Sequence, residues 1–321
     1  MIRINYKKNL SILEKNYIVK IFSTRYTSSS GPTIKDKFND LKRSYPFDTI
    51  FYDTSFEDII FIKPNKILEL INKIELRIIE QSQIKYQSIN KKKTFTYEVR
   101  NQLKELFDYE KKFQPFISSF FEEEIQIKTC SFCNIHFVNE YKDKDGLYKN
   151  EFTLDHYYDK ATYPYLALSF YNLIPSCYTC NNKLKKNEEF QNLAPSSKDF
   201  DFDKKVKFKL YLDKSCENLH IKDKENIDIE LKEYYSNDYD KYIEVFKLNE
   251  RYKAHKDIVY EMITKAEQYP ESRLKELQDL TGIPFQQIKR DIFNLIDENE
   301  DLSKKPFSKL IKDISKELGI I

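Results

Sequence analysis

The chain has 321 residues, 33% charged and 40% hydrophobic, with a formal net charge of +2. That length can bury a large core in one domain or in two to three smaller ones. It contains no run of about 18 apolar residues that would span a membrane, its first residues MIRINYKKNL carry no apolar secretory segment, and five cysteines are too few for a disulfide framework. These features predict a cytoplasmic protein whose paired cysteines bind metal.

Residues 1–125 read as mostly helical and basic. Ile67, Ile71, Ile74 and Ile78 recur at spacings of four and three, which predicts a helix starting near Pro64. A second helix is predicted over Tyr97–Phe113, with Val99, Leu103, Leu106 and Phe107 inward. Thr27–Pro32 reads as a loop. The densest positive cluster is Lys91, Lys92, Lys93 and Arg100. Such a run is ordinarily a solvated face, and it is also what a phosphate-contacting surface needs.

Over residues 126–195 the helical period fades. Lys142–Gly146 predicts a hairpin turn, and Glu151–Tyr158 a strand. Pro164–Leu168 predicts a short helix, and another follows Cys177. Residues 196–321 begin with two alternating segments, one with Val206, Phe208, Leu210 and Leu212 on one face, the other with Ile227, Ile229 and Leu231. They predict a short antiparallel hairpin. Helices return with Tyr242, Val245 and Phe246; Thr281-Gly282 closes one, Pro284 opens the next, and residues 306–318 form the last. The expected fold class is α+β, predominantly helical.

Chemistry concentrates in the middle region. Cys130 and Cys133 form one CxxC turn, Cys177 and Cys180 a second, with 43 residues between them. Two such turns supply the four thiolates of a tetrahedral Zn²⁺ site, which is closed and therefore structural. Cys216 is left over, a core residue or a surface thiol.

Of four histidines, only His156 has an adjacent acid, Asp155, and it lies midway between the two CxxC turns. Phosphodiester hydrolysis needs a proton acceptor for water and positive charge at the phosphate oxygens. A neutral imidazole serves the first need. A hard divalent cation, Mg²⁺ or Mn²⁺, held by Asp155 and Asn181 serves the second. Adjacent strand residues point to opposite faces. Asp155 and His156 can therefore address one phosphate only if the strand ends there. Asn182 is the alternative ligand, about 100° further round a helix. Asn172 is expected to hydrogen-bond backbone and fix the loop that orients His156. Lys160, Lys183 and Lys185 are expected to grip nucleic acid together with the N-terminal cluster. His136 is expected to be a partly buried structural histidine, His220 and His255 surface or core residues.

The string Leu154-Asp155-His156, then Asn172-Leu173, then Cys177-x-x-Cys180-Asn181 with Lys185 shortly after, resembles the HNH endonucleases of the ββα-metal superfamily. The resemblance covers about 60 residues. It implies a small ββα-metal core with a Cys₄ zinc site, flanked by helical regions. It implies His156 as general base, Asn172 as a structural residue and Asn181 on the catalytic metal, an HNN variant. Asp159 departs from the pattern, which often has Pro there. The stretch YPYLALSFYNLIPSC is similar to a bacterial subgroup found in anti-phage settings, so an operon-encoded ATPase or sensor is an expected protein partner. The expected function is a metal-dependent DNA endonuclease spanning residues 126–195, between a 1–125 helical region and a 196–321 hairpin-and-helix region. The alternatives are a non-catalytic zinc module that binds nucleic acid or protein, and an RNA-directed nuclease or toxin.

Overall fold

The computed structural model describes residues 1–6, 9–24, 30–146, 148–190, 193–212, 221, 223–297 and 300–321. His220, Cys216 and Thr27–Ser29 of the predicted loop lie outside the described residues. The chain is α+β and mostly helical, and its described strands form three two-stranded antiparallel sheets. They are β1 (Glu140–Lys142) with β2 (Tyr148–Asn150), β3 (Thr153–His156) with β4 (Leu173–Ser176), and β5 (Val206–Leu212) with β6 (Ile227–Glu233). Among the described residues no helix is long and apolar enough to cross a membrane.

The predicted helix at Pro64 runs to Lys85 and buries Ile67, Ile71, Ile74 and Ile78. Each such side chain contributes roughly 1.5–3 kcal/mol of burial. The next helix differs from its prediction. It starts at Ile89, capped by the Ser88 hydroxyl, and its α-winding ends at Leu106. Lys91–Lys93 hide its first turns, because three lysines carry no apolar period. Phe95 is the inward anchor there. A π-turn, Tyr109–Phe113, follows with Asp108 as its cap, and it carries Tyr109 toward β3.

The β5–β6 hairpin pairs Val206 with Glu233 through Leu212 with Ile227. Val206 and Phe208 are buried as the alternation requires, while Leu212 is 39% exposed at the end that leads into the connection. Gly282 ends the helix Glu271–Thr281 at φ +70, and Pro284 caps Phe285–Phe293. The last helix is Ser308–Glu317, and its buried Asp313 accepts a hydrogen bond from Phe208 N at 3.0 Å.

The ends of the chain converge on the first CxxC turn. Ile2 N donates to Ser131 O at 2.9 Å, and Phe307 N donates to Asn134 O at 2.7 Å. Asn134, fully buried at φ +55, binds the C-terminal segment with its side chain. Its Nδ2 donates to Thr129 Oγ1, Leu302 O and Lys305 O; its Oδ1 accepts from Ser308 Oγ and Lys309 N. Replacing it with Ala strands several buried partners at about 1 kcal/mol or more each and imposes a left-handed φ that Ala resists. Asn134→Ala should therefore lose at least about 3 kcal/mol in urea unfolding, with the loss of near-UV signal tracking the last helix.

Candidate metal centre and histidine site

Cys130, Cys133, Cys177 and Cys180 are all buried, and their four sulfurs lie within 4.8 Å of one another. The Cys133 and Cys177 sulfurs are 4.0 Å apart. That is twice a disulfide bond and near the roughly 3.8 Å edge of a tetrahedron with about 2.3 Å metal–sulfur bonds. The cluster can hold a metal such as zinc. Local backbone builds each half. Asn134 N donates to Cys130 O at 2.8 Å, closing the first turn, and Ile135 N points at Cys133 Sγ from 3.5 Å. Ser131 N donates to Pro175 O at 3.1 Å, tying that turn to β4 just before Cys177.

Electrostatics around the sulfurs favours thiolates plus cations. Burial pushes the Cys130 and Cys180 thiols up, so four ionised sulfurs need a bound cation to coexist. The Arg251 guanidinium donates to Cys180 Sγ at 3.3 Å, and the neighbouring sulfurs hold it protonated against its burial. Arg251 was not legible as part of this site, because it lies on the distant helix Leu248–Lys253.

Downstream of the cluster, β3, β4 and the turn after Cys177 follow in that order. The last element is a π-helix over Thr179–Lys185, not the α-helix expected. Its wider i→i+5 winding, with Lys186 N donating to Asn181 O at 3.1 Å, turns both Asn181 and Lys185 onto β3. Thr153 and Asp155 share the facing side of that strand. Asn181 Nδ2 donates to Thr153 Oγ1 at 2.9 Å, and Lys185 Nζ lies 3.2 Å from Asp155 Oδ2. Asn182 is exposed. Of the two asparagines, Asn181 faces the hairpin.

Lys185 corrects the sequence reading. It is fully buried and cannot grip a ligand at the surface. Its ammonium donates to His156 O at 3.2 Å and pairs with the Asp155 carboxylate. Lys183 remains exposed, and Lys160 is half-buried, paired with Glu110 at 3.1 Å. His136 is exposed, because the turn that carries it points outward with Phe137. His255 is half-buried against the Phe307 ring, centroids 4.6 Å apart.

His156 closes β3, and its ring lies on the face opposite Asp155. Nε2 is 2.9 Å from Ala167 O. A carbonyl only accepts, so Nε2 carries the proton and Nδ1 is the basic nitrogen. The Tyr109 ring meets the imidazole edge-on, centroids 4.6 Å apart. Asn172 holds the loop beneath: Nδ2 donates to Tyr158 O and Leu166 O, and Oδ1 accepts from Tyr158 N. This is the backbone-fixing role expected of it. Tyr109, Lys160, Asp159 and Ala167 line a cavity of about 200 Å³ on this side. Tyr109 could not be found from sequence, since the signal for its position is the unpredicted π-turn.

The two adjacent titratable groups shift in opposite senses. Burial raises the Asp155 carboxyl to about 6, with Lys185 opposing. Burial, aided by Lys160, lowers His156 to about 3, so its ring is neutral at pH 7. Asp155 Oδ2 accepts no hydrogen bond, since the Lys185 amine sits out of line for one. That oxygen is nonetheless paired with the buried Lys185 ammonium, and Asn181 turns its Nδ2 to Thr153, so a hard cation would bind here only by taking the place of the ammonium.

No protein-family model, curated protein or solved structure matches this chain.

Three outcomes follow from this geometry. Purified protein should carry about one zinc per chain, measured by elemental analysis, and Cys177→Ser should lose it along with cooperative unfolding. Lys185→Met leaves the Asp155 carboxylate buried alone and should cost about 3–5 kcal/mol at pH 7. His156 has a folded pKa near 3 against an unfolded value near 6.5. Its neutral burial therefore contributes stability above pH 6.5 that is lost as the pH falls toward 3. The stability difference between wild type and His156→Asn should shrink by up to about 1.4 kcal/mol per pH unit across that window, read from urea titrations at several pH values.

Proposed function

We propose that the end of β3 is the reaction centre of an endonuclease that hydrolyses phosphodiester bonds in DNA. The observation that carries the reading is the state of His156. Its imidazole is neutral, oriented through Nε2–H by the Ala167 carbonyl, with Nδ1 left to take a proton. It lies at the strand terminus, and Asp155 and Asn181 lie across the strand from it. The order β3, β4, helical turn supports the likeness to a ββα-metal core.

In this reading Nδ1 of His156 accepts the proton of the attacking water. The incoming phosphate raises the basicity of the ring, because an anion beside a buried imidazole favours its charged form. Asn172 keeps the 158–166 loop in place, and with it the carbonyl that orients the ring. Lys160 lines the cavity paired with Glu110, and Asp108 and Asp159 line it too, so charge at the phosphate oxygens would have to come from a bound cation. Asp155 and Asn181 would hold Mg²⁺ or Mn²⁺ if the ion took the place of the Lys185 ammonium, and it would then supply charge neutralisation at the phosphate oxygens. The four sulfurs, holding zinc, keep the turn that bears Asn181 against β3.

Circular single-stranded DNA, or supercoiled plasmid where it exposes single strands, should be nicked or cut when incubated with purified protein in Mg²⁺ or Mn²⁺. His156→Ala should reduce the rate by about 10²–10⁴-fold, with zinc content retained and the protein still cooperatively folded at the assay temperature. Cleavage of RNA and not DNA would change the substrate, and failure of the wild type to cut either would sink the reading.

A further inference from the structure

A second cavity, a groove of about 710 Å³, adjoins the one beside His156; the two share Lys104 and Ala161 as lining residues. Its floor is one side of the helix Ile89–Leu106. Lys93, Tyr97, Arg100 and Lys104 fall at spacings of four, three and four, so at 100° per residue they form one row along that helix. Glu98 and Glu105 lie about 120–140° round from the row, and no acidic residue lines this groove. Lys92 adds a fourth cation. Arg100 is partly neutralised by Glu75 at 2.5 Å. Lys93 and Lys104 are exposed, as is Tyr97, 66% of whose surface faces solvent.

We infer that this row is a track for single-stranded nucleic acid, leading the strand into the cavity beside His156. The inference rests on the proposed reaction only for what lies at the end of the track. From Lys93 to Lys104 the helix rises about 16 Å, a length over which one strand of a B-form duplex carries about five phosphates. Cations spaced along such a run neutralise successive phosphates. An exposed tyrosine among them offers a ring on which a base can stack, the combination that single-strand grooves use. The far end discriminates against a duplex. His156 is 8% exposed, and the cavity at its side is about 200 Å³. Asp108, Glu110 and Asp159 line that space with Lys104 and Lys160, so its charge does not draw a phosphate in; its width is what selects, since two paired strands would meet the walls formed by Tyr109, Pro164 and Lys104.

The test is fluorescence anisotropy with the full-length His156→Ala protein, so that no product forms. The probes are a labelled oligothymidylate of about 16 nucleotides, the matching oligouridylate, and a duplex of equal length. The expected result is that the single strands bind at least tenfold tighter than the duplex. Lys93→Glu with Lys104→Glu should weaken single-strand binding by tenfold or more and flatten its salt dependence. Tyr97→Ala should weaken it about tenfold at every salt concentration, and Lys224→Glu, which lines neither cavity, should leave it unchanged. Equal or tighter duplex binding, no binding, or indifference to the double charge reversal would overturn the inference. The two proposals fail separately. Binding through the row by a protein whose wild type cuts nothing removes the reaction and keeps the track. Cleavage that proceeds at the wild-type rate after charge reversal removes the track and keeps the reaction.

Discussion

Mutual repulsion among four sulfurs is the constraint on which the rest of the molecule is arranged. Four thiolates within 4.8 Å of one another cannot remain ionised in a buried site unless positive charge sits among them. The fold answers with Arg251 at the edge and with a ligand set that suits a tetrahedral dication at the centre. Once gathered, the sulfurs fix relations that no local propensity could. The first CxxC turn is held to β4 by Ser131, to the helix Leu248–Lys253 by the Tyr252 hydroxyl on Cys133 O at 2.7 Å, and to the last helix by Asn134. Segments far apart in the chain thus share a single anchor.

The histidine site inherits its asymmetry from that anchor. The second CxxC turn feeds directly into a π-winding, and the π-winding sets two polar side chains against one face of β3. The opposite face packs the imidazole between a carbonyl and an aromatic edge. One short strand therefore separates a charged interior from a neutral one. The opposed shifts of Asp155 and His156 are the electrostatic record of that separation. Lys185 is central to it, because a buried carboxylate without a nearby ammonium would lose its charge.

Much of this was legible in the chain because it is local. Isoleucine spacing marks the helix at Pro64, alternation marks β5 and β6, and the two CxxC turns announce four co-localised sulfurs. Asn172 was readable as a backbone anchor from its place between the knuckles. What failed to show was winding and direction. Nothing in Thr179–Lys185 distinguishes α from π, so a lysine assigned to the surface is the one buried beneath the strand. His136 was expected to be partly buried and is exposed. Tyr109 and Arg251 reach the site from other elements, and single-sequence periodicity is blind to such meetings. The cationic row was half visible. Its period is helical, but the helix was placed too late along the chain for Lys93 to join it.

The β1–β2 hairpin shows what the anchor leaves free. Glu151 N donates to Asn139 O at 2.9 Å, so the two stems are fastened to each other where they leave the body. Beyond that fastening, Tyr141, Lys142, Lys144, Asp145 and Gly146 are exposed. Changes of length at the tip are absorbed outside the knot and are not passed to β3. Evolution can therefore lengthen, shorten or redecorate this finger at little cost to the chemistry behind it, and a graft or label placed there would ride on the protein without steering it.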